Sequence, residues 1–146
     1  MGMSYSVRLS LYFKSHEDSL KAFDVLKEIV TENKSSVSDG YISQADFNLD
    51  YYKEKYGATP DNLEGLVRIA FGSSMDYTFD HGEGLGTPVT YDSSFDGTYS
   101  WGCVMEEVFK NLVNFLEPTS TMILEDDYGV STFYIEDGMV SSRKGV

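Results

Sequence analysis

Only one cysteine, Cys103, and two histidines, His16 and His81, occur in 146 residues. A single thiol excludes an internal disulfide and any metal site built on several cysteines, and it agrees with a reducing compartment. No stretch reaches the ~20 consecutive apolar residues that span a bilayer, and the first residues lack the charged and apolar regions of a signal peptide. The expectation is a soluble, cytoplasmic protein. The opening "MGMSYS" matches the myristoylation pattern MGxxxS, but no basic cluster follows to hold an acylated chain on a membrane.

Positive charge is the scarcest commodity of the second half. From Ser74 to Ser142 there are 13 acidic residues and a single base, Lys110, and the whole chain carries −13. Such a field repels nucleic acid and anionic membranes and draws basic partners inward. Direct nucleic-acid binding is therefore excluded from the expected functions.

Apolar and aromatic residues are plentiful: 41% of the chain is hydrophobic, with 11 Tyr and 9 Phe. The length is that of one ordinary domain with a single core, so residues 1–146 are read as one unit. In "SYSVRLSLYFK", Val7, Leu9, Leu11 and Phe13 alternate with polar residues, the period of a strand with one buried face. Ser15 stands three residues before Asp18 as a capping-box variant, and Leu20, Phe23, Leu26, Ile29 and Val30 then recur at helical spacing. Alternation in "YISQADFNLDYY" predicts a second strand, and "LVRIAF" with "MDYTF" a hairpin around "GSS". In between, Thr59 and Pro60 predict a short helical turn.

The Gly-, Asp- and Ser-rich stretch that follows is the least regular part of the pattern. Trp101, Val104, Met105, Val108, Phe109, Leu112 and Leu116 predict a second long helix, capped by Ser100 and stopped by Pro118, with Glu106 and Glu107 on its opposite face. "TSTMILEDDYGVSTFYIEDGMVS" predicts a three-stranded meander with turns at "DDYG" and "EDG". The expected class is α+β, a mainly antiparallel sheet covered by two amphipathic helices.

No Walker loop, GxSxG, HExxH or dinucleotide fingerprint is present. "DSSFDGTYSWGC" places Asp92, Ser94, Asp96 and Gly97 at the first, third, fifth and sixth positions of a calcium loop, but Cys103 stands where the bidentate Glu belongs. In "DYTFDHGEG", His81 and Glu83 could supply two metal ligands, with Asp76 and Asp80 beside them. Alternation sets Tyr77 and Phe79 inward there and the aspartates outward, so the stretch reads as an acidic rim. No cofactor or metal is expected, and Cys103 is read as packing beside the apolar stripe.

The expected function is that of a small acidic, non-enzymatic binding protein which inhibits a basic nucleic-acid-binding partner such as a nuclease. Carboxylates at Asp76, Asp80, Glu83, Asp92 and Asp96 would select the partner, with Tyr77 and Tyr91 as aromatic anchors. In size and charge alone the chain is similar to phage-encoded inhibitors of host defence nucleases and to toxin-immunity proteins. The competing expectations are a metal-assisted hydrolase using His81, Glu83 and nearby aspartates, and an accessory structural subunit.

Overall fold

The computed structural model describes residues 4–73, 78–84, 87–98 and 101–145. Strand β1, Ser4–Tyr12, pairs antiparallel on both sides, with β3, Thr87–Thr98, and β4, Thr121–Asp126. Its alternation puts Val7, Leu9 and Leu11 into the core, and Phe13 follows them there. Strand β2, Thr78–Gly84, adds to the far side of β3; β5, Gly129–Glu136, and β6, Met139–Gly145, continue from β4. The result is one six-stranded antiparallel sheet in the order β2-β3-β1-β4-β5-β6.

One face of this sheet is covered by helices. Tyr91 and Phe95 of β3, Met122 and Leu124 of β4 and Phe133 of β5 join the β1 side chains beneath α1, His16–Glu32, and α5, Gly102–Leu112. Fully burying side chains of this kind contributes roughly 1.5–3 kcal/mol each, which is why the apolar rows share a face. The opposite face carries Ser6, Arg8 and Ser10 on β1, with Asp92, Ser94 and Asp96 beside them on β3.

Helix α1 starts where the capping pattern placed it. Ser15 Oγ accepts the Asp18 N–H at 3.0 Å, and its hydroxyl donates to the Asp18 carboxylate at 2.9 Å. Ser15→Ala is expected to cost about 1 kcal/mol and to lower the thermal midpoint by roughly 2–4 °C; an unchanged melt would show that the cap contributes nothing. Leu20, expected on the buried face, is instead 55% exposed.

Two predicted strands are helical. Residues 41–52 form α2, Tyr41–Gln44, and begin α3, Leu49–Tyr56. Local capping overrides their alternation: Asn33 Nδ2 donates to the carbonyls of Ile42 at 2.8 Å and Ala45 at 2.7 Å, which terminates α2. "LVRIAF" lies in or directly after α4, Leu63–Ala70. A short apolar run satisfies either period; here Leu66, Val67, Ile69 and Ala70 are all buried, and the helix packs against α1 and α5. Asn62 caps it, accepting the Gly65 N–H at 2.7 Å, and the short helical turn expected at Thr59 and Pro60 is a turn that leads into this cap. The partner of β2 is consequently β3, and the stretch read as irregular is largely a hairpin.

Helix α5 ends at Leu112 in a 3-10 turn, Val113–Phe115, ahead of Pro118, and its N-cap position is Trp101. Ser100, the expected cap, lies outside the described residues. The final meander matches its prediction, with Asp137 and Gly138 at φ 54° and 75° in the β5–β6 turn. Such positive φ values at both central residues suit the right-handed twist of a hairpin.

On α3, burial raises the Tyr52 phenol to about 12, with the neighbouring Tyr56 and Tyr51 phenols adding to the effect. An unfolded tyrosine ionises near ~10, so the folded state holds a proton that the unfolded state releases between these values. Stability contributed by Tyr52 is thus complete below about pH 10 and is lost as pH rises toward 12. Urea melts across that window should show a falling midpoint, and Tyr52→Phe should flatten the fall; an identical slope in the variant would assign it elsewhere.

Candidate functional site

Register decides which of the expected acidic residues can act together. Asp96 on β3 faces Ser6 of β1, and Glu125 on β4 faces Ser6 from the other side. These two residues therefore stand two strands apart, about 10 Å, with only a serine side chain between them. Chain then turns from β4 to β5 through Asp126, Asp127 and Tyr128, at the same end of the sheet. Tyr128 is 79% exposed, which makes it the most exposed large hydrophobic side chain among the described residues.

The turn is braced from within. Asp126 Oδ1 accepts the N–H groups of Tyr128 at 2.8 Å and Gly129 at 3.1 Å, so this carboxylate shapes the loop that presents Tyr128. Gly129, at φ +147°, has its backbone so close to β6 that an added Cβ would lie 2.9 Å from the Gly145 carbonyl oxygen. No side chain fits there without a shift of backbone.

Beside this end lies a cavity of about 360 Å³ between the start of α5 and strands β4–β6. Its lining combines carboxylates, Glu106 and Asp126, with the rings of Tyr5 and Tyr128, the Cys103 thiol and the Lys144 ammonium. Carboxylates and phenol oxygens accept hydrogen bonds from guanidinium or ammonium groups, so the lining suits a basic side chain with an apolar stem. Cys103 is exposed rather than packed. The Cys103 thiol, with Asp39 and Glu106 nearby, holds the Tyr41 phenol above its ordinary range. Lys110 bridges Asp39 at 3.0 Å and Glu106 at 3.2 Å, and these bonds raise its own ionisation.

The expected site residues part company here. Asp92 and Asp96 lie on the open face, both half-buried. Tyr91 is fully buried, because β3 alternation turns it under the helices with Phe95; it is a core residue and not an anchor. Asp80 stands opposite Asp92 in the register and Glu83 lies further along β2, so the hairpin brings one expected acidic pair together. Asp76 and Tyr77 lie outside the described residues, as do the side chains of Asp80, His81 and Glu83. Among the described residues no group of three His, Cys, Asp or Glu side chains is placed to hold a metal.

Arg8 interrupts the acidic surface. It is exposed on the open face between Ser94 and Ile123, diagonal to Asp92 and Asp96. Like charges facing one another across strands destabilise a sheet, and a cation among them offsets part of that repulsion.

Glu107, expected on the solvated side of α5, is only 1% exposed. Its Oε1 accepts the Tyr41 N–H at 2.8 Å, while Oε2 has no hydrogen-bond partner among the described residues. One turn on, Asn111 Oδ1 accepts the Ser36 N–H at 2.7 Å, and Nδ2 donates to Ser35 Oγ at 3.1 Å. Together they pin the segment between α1 and α2 onto α5. A Glu and an Asn four residues apart, flanked by Val104, Val108 and Leu112, was the available signal in the sequence.

No protein-family profile, curated protein or solved structure matches this chain. Among the described residues no helix is long and apolar enough to cross a membrane.

Proposed function

We propose that this chain is a non-enzymatic binding protein that occupies a basic surface of another protein, a nuclease or other nucleic-acid-binding protein, and so keeps nucleic acid off it. The observation that carries this reading is the placement, at one end of the sheet, of Asp96 and Glu125 on the open face and of Asp126, Asp127 and the exposed Tyr128 in the turn that follows β4. Carboxylates take the places of phosphates, and Tyr128 supplies the apolar contact between Lys and Arg stems. Two elements of the arrangement limit the entropy lost on binding: the strands hold Asp96 and Glu125, and Asp126 holds the turn. The net charge of −13 adds long-range steering. Its place of action would be the cytoplasm, where such partners work and a lone thiol stays reduced.

The test is retention and competition. The immobilised chain should retain a basic nucleic-acid-binding protein from host lysate at low salt and release it at high salt. Added in excess, the chain should displace nucleic acid from that protein. A captured partner that keeps its nucleic acid bound, or capture that is indifferent to salt, would refute the mechanism.

A further inference from the structure

A second pocket, of about 230 Å³, lies on the other side of the α5 start, between α3 and Trp101. It is walled by Phe47, Tyr51, Tyr52 and Trp101, with Asp46 and Asn48 beside them. The rings come from three places: the α2–α3 connection, α3 itself and the N-cap of α5. They meet edge to face, Phe47 with Trp101 at 5.5 Å and 87° and Tyr51 with Tyr52 at 5.4 Å and 85°. Each pair is packed edge on face, and the open space lies beside the pairs, with all four rings on its walls.

Trp101 is a fixed wall. Its indole N–H donates to the Ala70 carbonyl at 3.0 Å, and its ring lies directly on Gly72, where an added Cβ would come within 2.6 Å of it. Gly72 sits at φ +66°, a conformation that suits glycine. A side chain there would displace the indole from its place in the wall.

We infer that this pocket binds an organic cation of the methylated ammonium class. Electron-rich ring faces attract such weakly hydrated cations, and several rings converging on one space is the arrangement that recognises them. Asp46 is the only charged residue of the lining; one of its oxygens accepts the Asn48 N–H at 3.0 Å, and it forms no ion pair with a described residue. The tyrosines of α3 already take cations within the chain: Lys55 lies 5.4 Å from the Tyr51 centroid, and Arg68 lies 4.3 Å from that of Tyr56. This inference does not rest on the acidic end of the sheet, whose variants leave the pocket intact.

Trp101 is the sole tryptophan, so its emission reports the pocket directly. The full chain is titrated at constant ionic strength with tetramethylammonium, with blocked trimethyllysine, with blocked lysine and arginine, and with the neutral tert-butyl isostere of trimethyllysine. The expected result is a saturable change in Trp101 emission with the methylated cations, at least about tenfold tighter than with the neutral isostere. Asp46→Asn should weaken cation binding roughly threefold to tenfold and leave the isostere unaffected. Tighter binding of trimethyllysine than of tetramethylammonium would assign the group to a protein side chain, and the reverse to a free ammonium compound; either supports the site. Equal binding of the neutral isostere, tighter binding of arginine, or no saturable change would overturn it. Unchanged thermal melting of Asp46→Asn verifies that the fold is intact.

Discussion

Gly65→Ala is expected to destabilise the domain by about 3 kcal/mol or more, a fall in Tm of roughly 6–12 °C for a chain of this size. A Cβ on Gly65 would collide with the Thr59 carbonyl oxygen and lie 3.0 Å from the Thr59 nitrogen. Both are backbone atoms, so no rotamer change relieves the contact. The same glycine donates its N–H to the Asn62 cap, which means a shift of the loop also strips the start of α4. Helix α4 buries Leu66, Val67, Ile69 and Ala70 against the core, so its displacement spreads. Gly57→Ala is the comparison: φ is +66° there but nothing lies within 4 Å, and only the left-handed strain of about 1–2 kcal/mol remains. Equal melting temperatures for the two variants would show that the 59–65 turn does not pack on α4 as described.

The second large effect concerns the proposed interface. Reversing Glu125 and Asp127 to lysine is expected to slow association with a basic partner by about 10–100-fold at low salt, and by less as salt rises. Tyr128→Ala should act differently, shortening the lifetime of the complex by roughly 30-fold, the equivalent of about 2 kcal/mol at a hot spot. All three side chains are exposed, so thermal melts should change little. Asp126 is left in place because its carboxylate holds the turn. A control reversal, Glu28→Lys on the exposed side of α1, should alter association only slightly. Association rates that respond equally to Glu28 and to the Glu125 and Asp127 pair would mean that net charge alone steers the partner and that this end of the sheet is not the interface.

Much of the candidate site was within reach of the sequence as composition but not as placement. Glu125, Asp126 and Asp127 are an obvious acidic run. Nothing local says that Asp96 stands across Ser6 from Glu125, because that proximity exists only when β1 threads between β3 and β4. Tyr91, expected as an anchor, is buried for a related reason. Its neighbours are polar, which reads as surface, yet pairing with Leu11 of β1 fixes it on the helix-covered face. The aromatic pocket was invisible for the opposite reason: residues 41–52 were read with a period of two, which scatters the rings that α3 and Trp101 bring together.

Elements whose signals are complete within a few neighbours were legible from the residues: strict alternation in β1, the Ser15 cap of α1, and the turn residues of the final meander. The α+β class and the acidic character follow from those elements and from composition. Packing settled the remainder. Whether "LVRIAF" is strand or helix depends on what covers it, since a short apolar run buries equally well either way and α1 with α5 offer a helical seat. Burial of Glu107 likewise depends on the Tyr41 N–H arriving from a distant segment to bond it. Polar groups enter a core only where a partner meets them, and partners distant along the chain are brought there by the tertiary fold alone.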